Sequence, residues 1–350
     1  MIATKVLHQY VQLNLKLFDL NTQTTALSGV GNDLSPEMRT YYEDRLIDLA
    51  EPNLVYDQFG EKYPIPRNGG KTINFRKFSP LAKALTPLTE GVTPSGQNLN
   101  VDDIEATVSQ YGGYVTISDV LELTAVDPMI ERATKQIGGQ AGRTLDTVTR
   151  EIITAGTNVM YAPKSDGTEI LTRATVADTS LLTVDLIFKA VAKLRAMNAS
   201  PIDGEAFVGV IHPNVACDLM LSDKWIDVHK YATPENIYRG EIGMLGGVRF
   251  VQSTEAKIIS NAGAAIGSTD KKVSVYCTMI IGANAYGVTE VTGGGLQHIV
   301  KQLGSGGTSD PLNQRATTGW KALKTAARLV EEYMVRIEHA CATDLTAASN

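Results

Sequence analysis

The chain has 350 residues, of which 43% are hydrophobic and 20% charged, and its formal net charge is −6 at pH 7. This composition is ordinary for a globular protein and excludes disorder along the whole chain. An acidic net charge disfavours a protein whose main task is to grip nucleic acid, because gripping needs a basic face that neutralises phosphates. Single hydrophobic cores stop growing at about 250–300 residues, so we expect more than one packing unit.

The cysteines and the N-terminal stretch bear on the cellular compartment. Cys217, Cys277 and Cys341 are too widely spaced for a metal knuckle or a disulfide framework, and they predict reduced thiols. The N-terminus lacks the apolar core of a signal peptide, and no run reaches the roughly 18 apolar residues of a membrane span. We therefore expect a protein that is neither secreted by the usual route nor embedded in a membrane.

The first third of the chain predicts an arm and then an extended hairpin. Residues 1–35 are weakly patterned, and a short helix is predicted between the capping residue Ser35 and Pro52. Residues 71–78 alternate like a strand, and residues 103–119 do so again, with a bulge or bend expected at Gly112 and Gly113. Between them lies a stretch with prolines at seven-residue intervals: Pro80, Pro87 and Pro94. Loops of this length are uncommon and usually functional.

The longest helical pattern covers residues 127–158, capped by Asp127 and with Pro128 at its first helical position. Its apolar residues recur at spacings of three and four. Three glycines interrupt it: Gly138, Gly139 and Gly142. Each costs up to about 1 kcal/mol relative to alanine, which predicts either close packing or a helix that can bend.

The rest of the chain predicts a mixed α/β region. Helices are expected over 183–198 and 213–225, and strands over 205–213, 248–253 and 272–282. The last patterned segment, 319–342, fits either a strand or a helix.

The glycine-rich stretch 240–250 could be a nucleotide-binding loop. Its glycines are Gly240, Gly243, Gly246 and Gly247. A phosphate loop needs a helix after the glycines, and this spacing matches neither dinucleotide nor P-loop motifs. A strand-like segment follows instead, so a tight turn that leads into a strand is the favoured interpretation.

The other candidates for chemistry lack partners in the sequence. None of the five histidines forms a metal-binding pair, and His212 before Pro213 suits a structural turn. A nucleophile elbow is absent, and the neighbouring carboxylates Asp102 and Asp103 would point to opposite faces of a strand. We predict no catalytic residue, no metal and no cofactor.

Several stretches resemble a known family: LSPEMRTYYEDRLIDLAEPNLVYDQFGEKYPIP, KTINFRKFSPL, LTEGVTPSGQNLNVDDIEATVSQYGGYVTISDVLELTAVDP, HPNVACDL, GEIGMLGGVRFVQS and YMVRIEHA. They are similar to the major capsid proteins of tailed bacteriophages with the HK97 fold, specifically the N4 gp56-like family. The resemblance covers about residues 34–340.

The resemblance implies an α+β chain with the HK97 layout. Residues 1–55 would be the N-arm, and residues 56–121 the E-loop, a hairpin lying over an adjacent subunit through the segment with Pro80, Pro87 and Pro94. Residues 122–200 would be the P-domain with its spine helix at 127–158. Residues 201–317 would be the A-domain, including the glycine turn at 240–247, and 318–350 would return to the P-domain as a strand.

The implied function is assembly of hexamers and pentamers into an icosahedral shell that encloses double-stranded DNA without sequence-specific binding. The expected partners are other copies of the chain and scaffolding, portal and decoration proteins, with no membrane. The expected locations are the virion capsid and, during assembly, the host cytoplasm. Bending at Gly138, Gly139 and Gly142 would serve the change from a round precursor to an angular shell.

Two alternatives remain open at this stage. An encapsulin-like nanocompartment shares the architecture, and a soluble nucleotide-dependent enzyme built around residues 240–247 belongs to another class. Some capsids of this fold form Lys–Asn cross-links. Lys83 lies near the E-loop tip, but nothing marks its partner, and cross-linking is not expected.

Overall fold

A computed structural model describes residues 55–65, 70–78, 81–88, 90–93, 95–124, 129–202, 204–222, 243–267, 270–291, 295–306 and 310–350. Within these ranges the chain divides into two compact units. The smaller contains residues 112–139 and 296–321, and the larger contains 55–111, 140–295 and 322–350. The predicted helix over 35–52 lies outside the described residues.

The helices of the described chain are α1 (Asp119–Thr124), α2 (Met129–Thr154), α3 (Val184–Ala196) and α4 (Pro213–Met220). The strands are β1 (Glu61–Ile65), β2 (Thr72–Phe78), β3 (Val101–Thr107), β4 (Ser109–Ser118), β5 (Val159–Tyr161), β6 (Phe207–Ile211), β7 (Met244–Leu245), β8 (Val248–Gln252), β9 (Ile258–Ile259), β10 (Val275–Ile281), β11 (Tyr286–Val291), β12 (Gln297–Lys301), β13 (Arg315–Lys324), β14 (Ala326–Arg328) and β15 (Met334–His339).

The larger unit is built on a seven-stranded sheet. Its order is β5-β15-β10-β6-β8-β7, with β9 also paired to β10. The two central strands, β6 and β10, are buried at every residue. Apolar runs of this kind are typical of strands that are covered on both faces.

Two apolar clusters cover the two faces of this sheet. Phe207 and Ile211 of β6 pack with the buried faces of α3 and α4. Val208 and Val210 of the same strand pack instead with Ile153 of α2. Because successive side chains of a strand point to opposite faces, one apolar run supplies both clusters.

A hairpin and a small sheet complete the larger unit. The strands β2 and β3 pair antiparallel over their full length, from Thr72↔Thr107 to Phe78↔Val101. The strands β1, β11 and β14 form a separate sheet in the order β1-β11-β14. The predicted strand over 71–78 is confirmed. The segment 103–119, which was predicted as one strand, forms two strands, β3 and β4, that belong to different sheets, and Asp119 begins α1.

The smaller unit contains residues of a three-stranded sheet with the order β12-β13-β4. Its glycines permit close approach of two strands. A Cβ at Gly112 would lie 2.7 Å from the carbonyl oxygen of Trp320, and one at Gly319 would lie 2.9 Å from that of Gly113. Both glycines of the predicted bulge lie within the strand β4, and the close approach of β13 explains Gly112.

The long helix is shorter than predicted. The segment 127–158 contains α2 only over Met129–Thr154, while Asp127 and Pro128 lie outside the described residues. Beyond Thr154 the polar groups of Thr157 and Asn158 bind the C-terminal part of the chain. The Thr157 amide donates to the Glu331 carboxylate, and Asn158 Nδ2 donates to the Met334 carbonyl at 2.8 Å.

The ambiguous segment 319–342 forms strands. It contains the end of β13, all of β14 and all of β15. The strand β15 lies between β5 and β10, and its residues are buried except for Arg336, which is partly so. Burial on both faces explains why its sequence lacks a clean alternation.

Candidate assembly surfaces

The base of the β2–β3 hairpin packs on its own chain. Phe75 and Ala106 of the hairpin form a small buried cluster with Ala327 of β14. Tyr63 of β1 meets Phe75 edge to face, with ring centroids 4.8 Å apart. Lys77 Nζ lies 3.5 Å from Glu332 Oε2. The base is thus held by few contacts, and the rest of the hairpin extends away from them.

The part of the hairpin from Phe78 to Val101, called here the distal hairpin, exposes many large apolar side chains. Leu85 is 81% exposed and Leu88 is 76% exposed. The other large apolar residues exposed between the two strand ends are Phe78, Leu81, Val92, Leu99 and Val101. Contiguous apolar surface on a subunit marks an interaction site, because leaving it in water is unfavourable.

Only one of the three prolines predicted to contact another subunit lies in the described residues. Pro87 lies in this exposed segment, whereas Pro80 and Pro94 lie outside the described residues. That these prolines contact another subunit stays a prediction. The leucines between them are the residues that sequence reasoning missed, although large apolar residues in a proline-rich loop were a visible signal.

The glycine-rich stretch forms a tight turn. Gly246 and Gly247 join β7 to β8, which pair as Leu245↔Val248, and both glycines have positive φ (61° and 84°). A two-residue hairpin turn with two positive φ values is a type I′ turn, which favours glycine. The predicted turn into a strand is confirmed. Gly243 also has positive φ, and Gly240 lies outside the described residues.

Replacing Gly246 with alanine should destabilise the subunit more than the same change at Gly267. Both glycines have φ near +60°, where a Cβ costs about 1–2 kcal/mol. A Cβ at Gly246 would also lie 2.8 Å from the Phe188 ring, whereas at Gly267 no atom of the described residues lies within 4 Å. Urea unfolding of the two variants measures the difference. Equal losses of stability would contradict the steric contribution of Phe188.

The three helix glycines lie within α2 and differ in their surroundings. Gly138 and Gly142 are buried. Among the described residues, no atom lies within 4 Å of a Cβ built at Gly139. Packing against the described residues therefore does not explain Gly139, at which the smaller compact unit ends.

The helix α2 also buries charged groups that its apolar pattern did not indicate. Asp146 is fully buried and accepts a hydrogen bond from the Tyr56 amide at 2.8 Å. Its second oxygen, Oδ2, has no hydrogen-bond partner among the described residues. Nearby, Asp57 pairs with Lys324 and accepts from Thr149 Oγ1 at 2.7 Å. These contacts hold the short 3-10 turn Tyr56–Gln58, which precedes β1, against α2.

Burial of Asp146 predicts that stability falls as the pH rises. Burial raises the pKa of Asp146 to about 7, with Asp57 as a further cause, against an ordinary value of 3.8. The folded state therefore holds a proton that the unfolded chain releases from about pH 4 upwards, and this contribution to stability is lost up to pH 7. Asp146→Asn should flatten the fall of unfolding free energy between pH 4 and 7. An unchanged slope would contradict this assignment.

The described histidines discussed here make hydrogen bonds within the fold. His212 Nδ1 accepts from the Asn214 amide at 3.2 Å and caps α4, which confirms the predicted structural role. His339 is fully buried beside Thr278 Oγ1, at 2.8 Å, and burial lowers its pKa to about 4. Across the described ranges, no three His, Cys, Asp or Glu side chains form a group that could hold a metal ion.

Burial also raises the pKa of the Cys277 and Cys341 thiols to about 12, so both stay protonated at neutral pH.

Among the described helices, none combines the length and the apolar character needed to cross a bilayer.

Comparison with known proteins identifies the family. The sequence profile of the phage capsid protein family matches residues 101–337. The chain belongs to this family. No curated protein sequence matches it.

Solved capsid structures share the fold at low sequence identity. The capsid protein of cyanophage Pam1 has a TM-score of 0.64 and 14% identity, covering 93% of this chain and 99% of its own. Cyanophage P-SCSP1u gives a TM-score of 0.61 and 14% identity, over 93% and 94%. Ralstonia phage GP4 gives 0.61 and 14%, over 92% and 96%. The predicted mixed α and β fold of the HK97 type is confirmed.

The family confirms the predicted role as a phage capsid protein. The chain is thus a structural component of the virion capsid. The alternative of a nucleotide-binding enzyme loses its basis, because the glycines lead into the strand β8 and not into a helix.

Proposed function

We propose that copies of this chain assemble as hexamers and pentamers into a closed icosahedral shell around double-stranded DNA. The proposal is carried by the distal β2–β3 hairpin, whose large apolar side chains are between 42% and 81% exposed. Covering them on a neighbouring copy removes apolar surface from water. When different surfaces of identical subunits meet, each subunit can bind the next. The chain of subunits closes into a ring when the rotation between neighbours adds up to a full turn.

The proposed layout follows the HK97 arrangement. Residues 1–55 form the N-arm, 56–121 the E-loop, 122–200 the P-domain, 201–317 the A-domain, and 318–350 return to the P-domain. The glycine turn would then belong to the A-domain. The strand β5, in the middle of the segment 122–200, pairs with β15 in the last segment, and this pairing supports the return.

Within the family, we propose that the chain belongs to the N4 gp56-like members. Assembly in the host cytoplasm, with scaffolding, portal and decoration proteins, belongs to the same proposal. The acidic net charge of −6 suits a shell that surrounds DNA without binding it tightly.

Electron microscopy of the purified protein after size exclusion tests the function directly. We expect closed shells of uniform diameter that elute in the void volume. Enclosed DNA in particles from infected cells would distinguish a phage capsid from an encapsulin-like compartment. A subunit that stays monomeric, even with a crowding agent or scaffold extract, would contradict the proposal.

We further propose that α2 bends at its glycines as the shell changes from a round to an angular form. Gly139 supports this role, because no neighbouring atom in the described chain excludes a larger side chain there. A mid-helix glycine weakens the helix without improving packing.

Replacing Gly139 with alanine should therefore raise subunit stability by about 1 kcal/mol. It should also slow shell expansion. Unfolding by urea and expansion followed by electron microscopy measure the two effects, and the triple alanine variant at Gly138, Gly139 and Gly142 should show the larger kinetic effect. Expansion at the normal rate in both variants would contradict bending.

A further inference from the structure

A lysine and an aspartate meet in the interior of the larger unit. The side chain of Lys324, the last residue of β13, is 9% exposed, and that of Asp57, in the 3-10 turn before β1, is 15% exposed. Lys324 Nζ contacts Asp57 Oδ2, although the two residues lie 267 positions apart in the chain. An amine and a carboxyl carbon are therefore neighbours, largely away from solvent.

A second carboxyl group, that of Asp146, belongs to the same site. Its Oδ1 accepts from the amide of Tyr56, the residue before Asp57, at 2.8 Å. Asp146 precedes Thr149 by three positions and so lies on the same face of α2, and Thr149 Oγ1 donates to Asp57 Oδ1 at 2.7 Å. Burial is the largest cause of the raised pKa of Asp146, and the charges of Asp57 and Lys324 also act on it. The three ionisable groups therefore share one site.

Asp146 has an oxygen that is available for proton transfer. Its side chain is fully buried, and Oδ2 has no hydrogen-bond partner among the described residues. Because burial raises its pKa to about 7, the group carries its proton in a large fraction of chains at neutral pH. A buried carboxylic acid of this kind can give a proton to a reacting group and take one back.

The surroundings of the site favour neutral reactants. Tyr56 and Tyr286 belong to a buried apolar cluster. Burial raises the pKa of Tyr286, and Asp57 and Asp146 raise it further, so this ring lies near both carboxyl groups. Burying an ammonium and a carboxylate costs free energy, and passage of the proton from Nζ to the carboxylate removes both charges. An amine beside a carboxylic acid results, and these are the reactants from which an amide forms.

We propose that Lys324 and Asp57 join through an amide bond within one chain, with Asp146 as the proton donor and acceptor. Nζ, after passing one proton to Oδ2 of Asp57, attacks Cγ with its lone pair. The Thr149 hydroxyl stabilises the negative charge that develops on Oδ1. Asp146 gives its proton to Oδ2, which leaves as water when the Cγ–Oδ2 bond breaks, and then takes one proton from Nζ. One amide and one water form, and neither an oxidant nor a reductant is needed.

This bond differs from a cross-link between subunits. It forms once, within one chain, so the expectation of no cross-link at Lys83 is unchanged. It ties the 3-10 turn before β1 to the end of β13 and thereby restricts the unfolded chain more than the folded one. The inference goes beyond the proposed function, because shell assembly depends neither on the presence nor on the absence of this bond.

Intact-mass spectrometry of the full-length chain, denatured after purification, tests the bond. We expect the parent chain to lack the mass of one water and Lys324→Arg to retain it, because a guanidinium keeps the charge pair but stays protonated and does not attack. After digestion with trypsin, residues 46–62, which contain Asp57, should stay joined to residues 322–328, which contain Lys324. A parent chain at its full mass would overturn the proposal, whether or not shells form.

A second contact between a lysine and a carboxylate provides an internal control. Lys257 Nζ contacts Glu151, but these side chains are 24% and 44% exposed, and Glu151 also pairs with Arg150. The peptides that contain Lys257 and Glu151 should be recovered separately. Peptides joined there as well would mean that contact alone suffices, against the role given to the buried site.

The role of Asp146 is tested with Asp146→Asn, which keeps the shape of the side chain but removes the acid. A time course of the intact mass should show water loss slowed by roughly a hundredfold or more, which is the usual contribution of general acid–base catalysis. Circular dichroism checks that the variant is folded. Water loss at the parent rate in the folded variant would show that Asp146 does not transfer the proton.

Discussion

Replacing Leu85 and Leu88 with aspartate should abolish shell formation while leaving the folded subunit intact. Both side chains are more than three-quarters exposed, so the subunit gains nothing from them in isolation. In the proposed shell, their burial on a neighbour would contribute about 1.5–3 kcal/mol each. Because 1.4 kcal/mol corresponds to a factor of ten, the concentration needed for assembly should rise at least roughly a hundredfold. Size exclusion and electron microscopy over a concentration series measure this shift.

The matched control is Thr86→Asp, which introduces a charge in the same exposed segment without removing an apolar side chain. It should assemble at a concentration close to that of the parent chain. Circular dichroism and urea unfolding of the double variant should match the parent subunit, because neither leucine belongs to a buried cluster. Shells that form at the parent concentration in the double variant would show that the distal hairpin does not carry the assembly contact.

Replacing Glu338 with alanine should destabilise the larger unit by about 3–5 kcal/mol, since it leaves the largely buried guanidinium of Arg336 without its countercharge. Glu338 is fully buried in β15. Its carboxylate accepts two hydrogen bonds from Arg173, at 2.8 and 2.6 Å, and lies 2.9 Å from Arg336 Nε. Urea unfolding measures the loss, and the Leu85→Asp/Leu88→Asp background keeps assembly from masking it.

Glu332→Ala is the control for this prediction. It removes a carboxylate of the same kind, but one that is more than half exposed and lies 3.5 Å from Lys77. Exposed ion pairs contribute about 0–1 kcal/mol, because water and salt screen them. If the free energy of unfolding fell no more in Glu338→Ala than in Glu332→Ala, burial would not determine how much the carboxylate stabilises the protein. High salt should reduce the small effect at Glu332 further.

The local elements were predictable because their patterns are local. Alternation identified β2 and the β3–β4 segment, and the spacing of apolar residues identified α2 and α3. The pair His212–Pro213 marked the start of α4, where the histidine ring accepts from the Asn214 amide. The glycines at 246 and 247 predicted a turn because two positive φ values favour residues without a Cβ.

Parts of the candidate assembly surfaces were not predictable in the same way. The proline-rich spacing marked the hairpin, but only the structure shows that Leu85 and Leu88 lack cover. The polar residues buried on α2 include Asp146 and Arg150, which a pattern of apolar residues does not select. Arg150 donates to the Glu255 carbonyl at 2.7 Å and to the Asn350 carbonyl at 2.8 Å, and these two partners lie more than 100 residues away along the chain.

The sequence by itself determined the types and order of most described elements, the absence of a recognisable catalytic motif and the resemblance to a capsid family. It did so because periodicity, capping and turn chemistry depend on residues a few positions apart. Only the tertiary structure decided that β15 pairs with both β5 and β10, that Glu338 meets Arg173, and that Lys324 meets Asp57. These features depend on which distant segments pack together, and short-range patterns do not specify such packing.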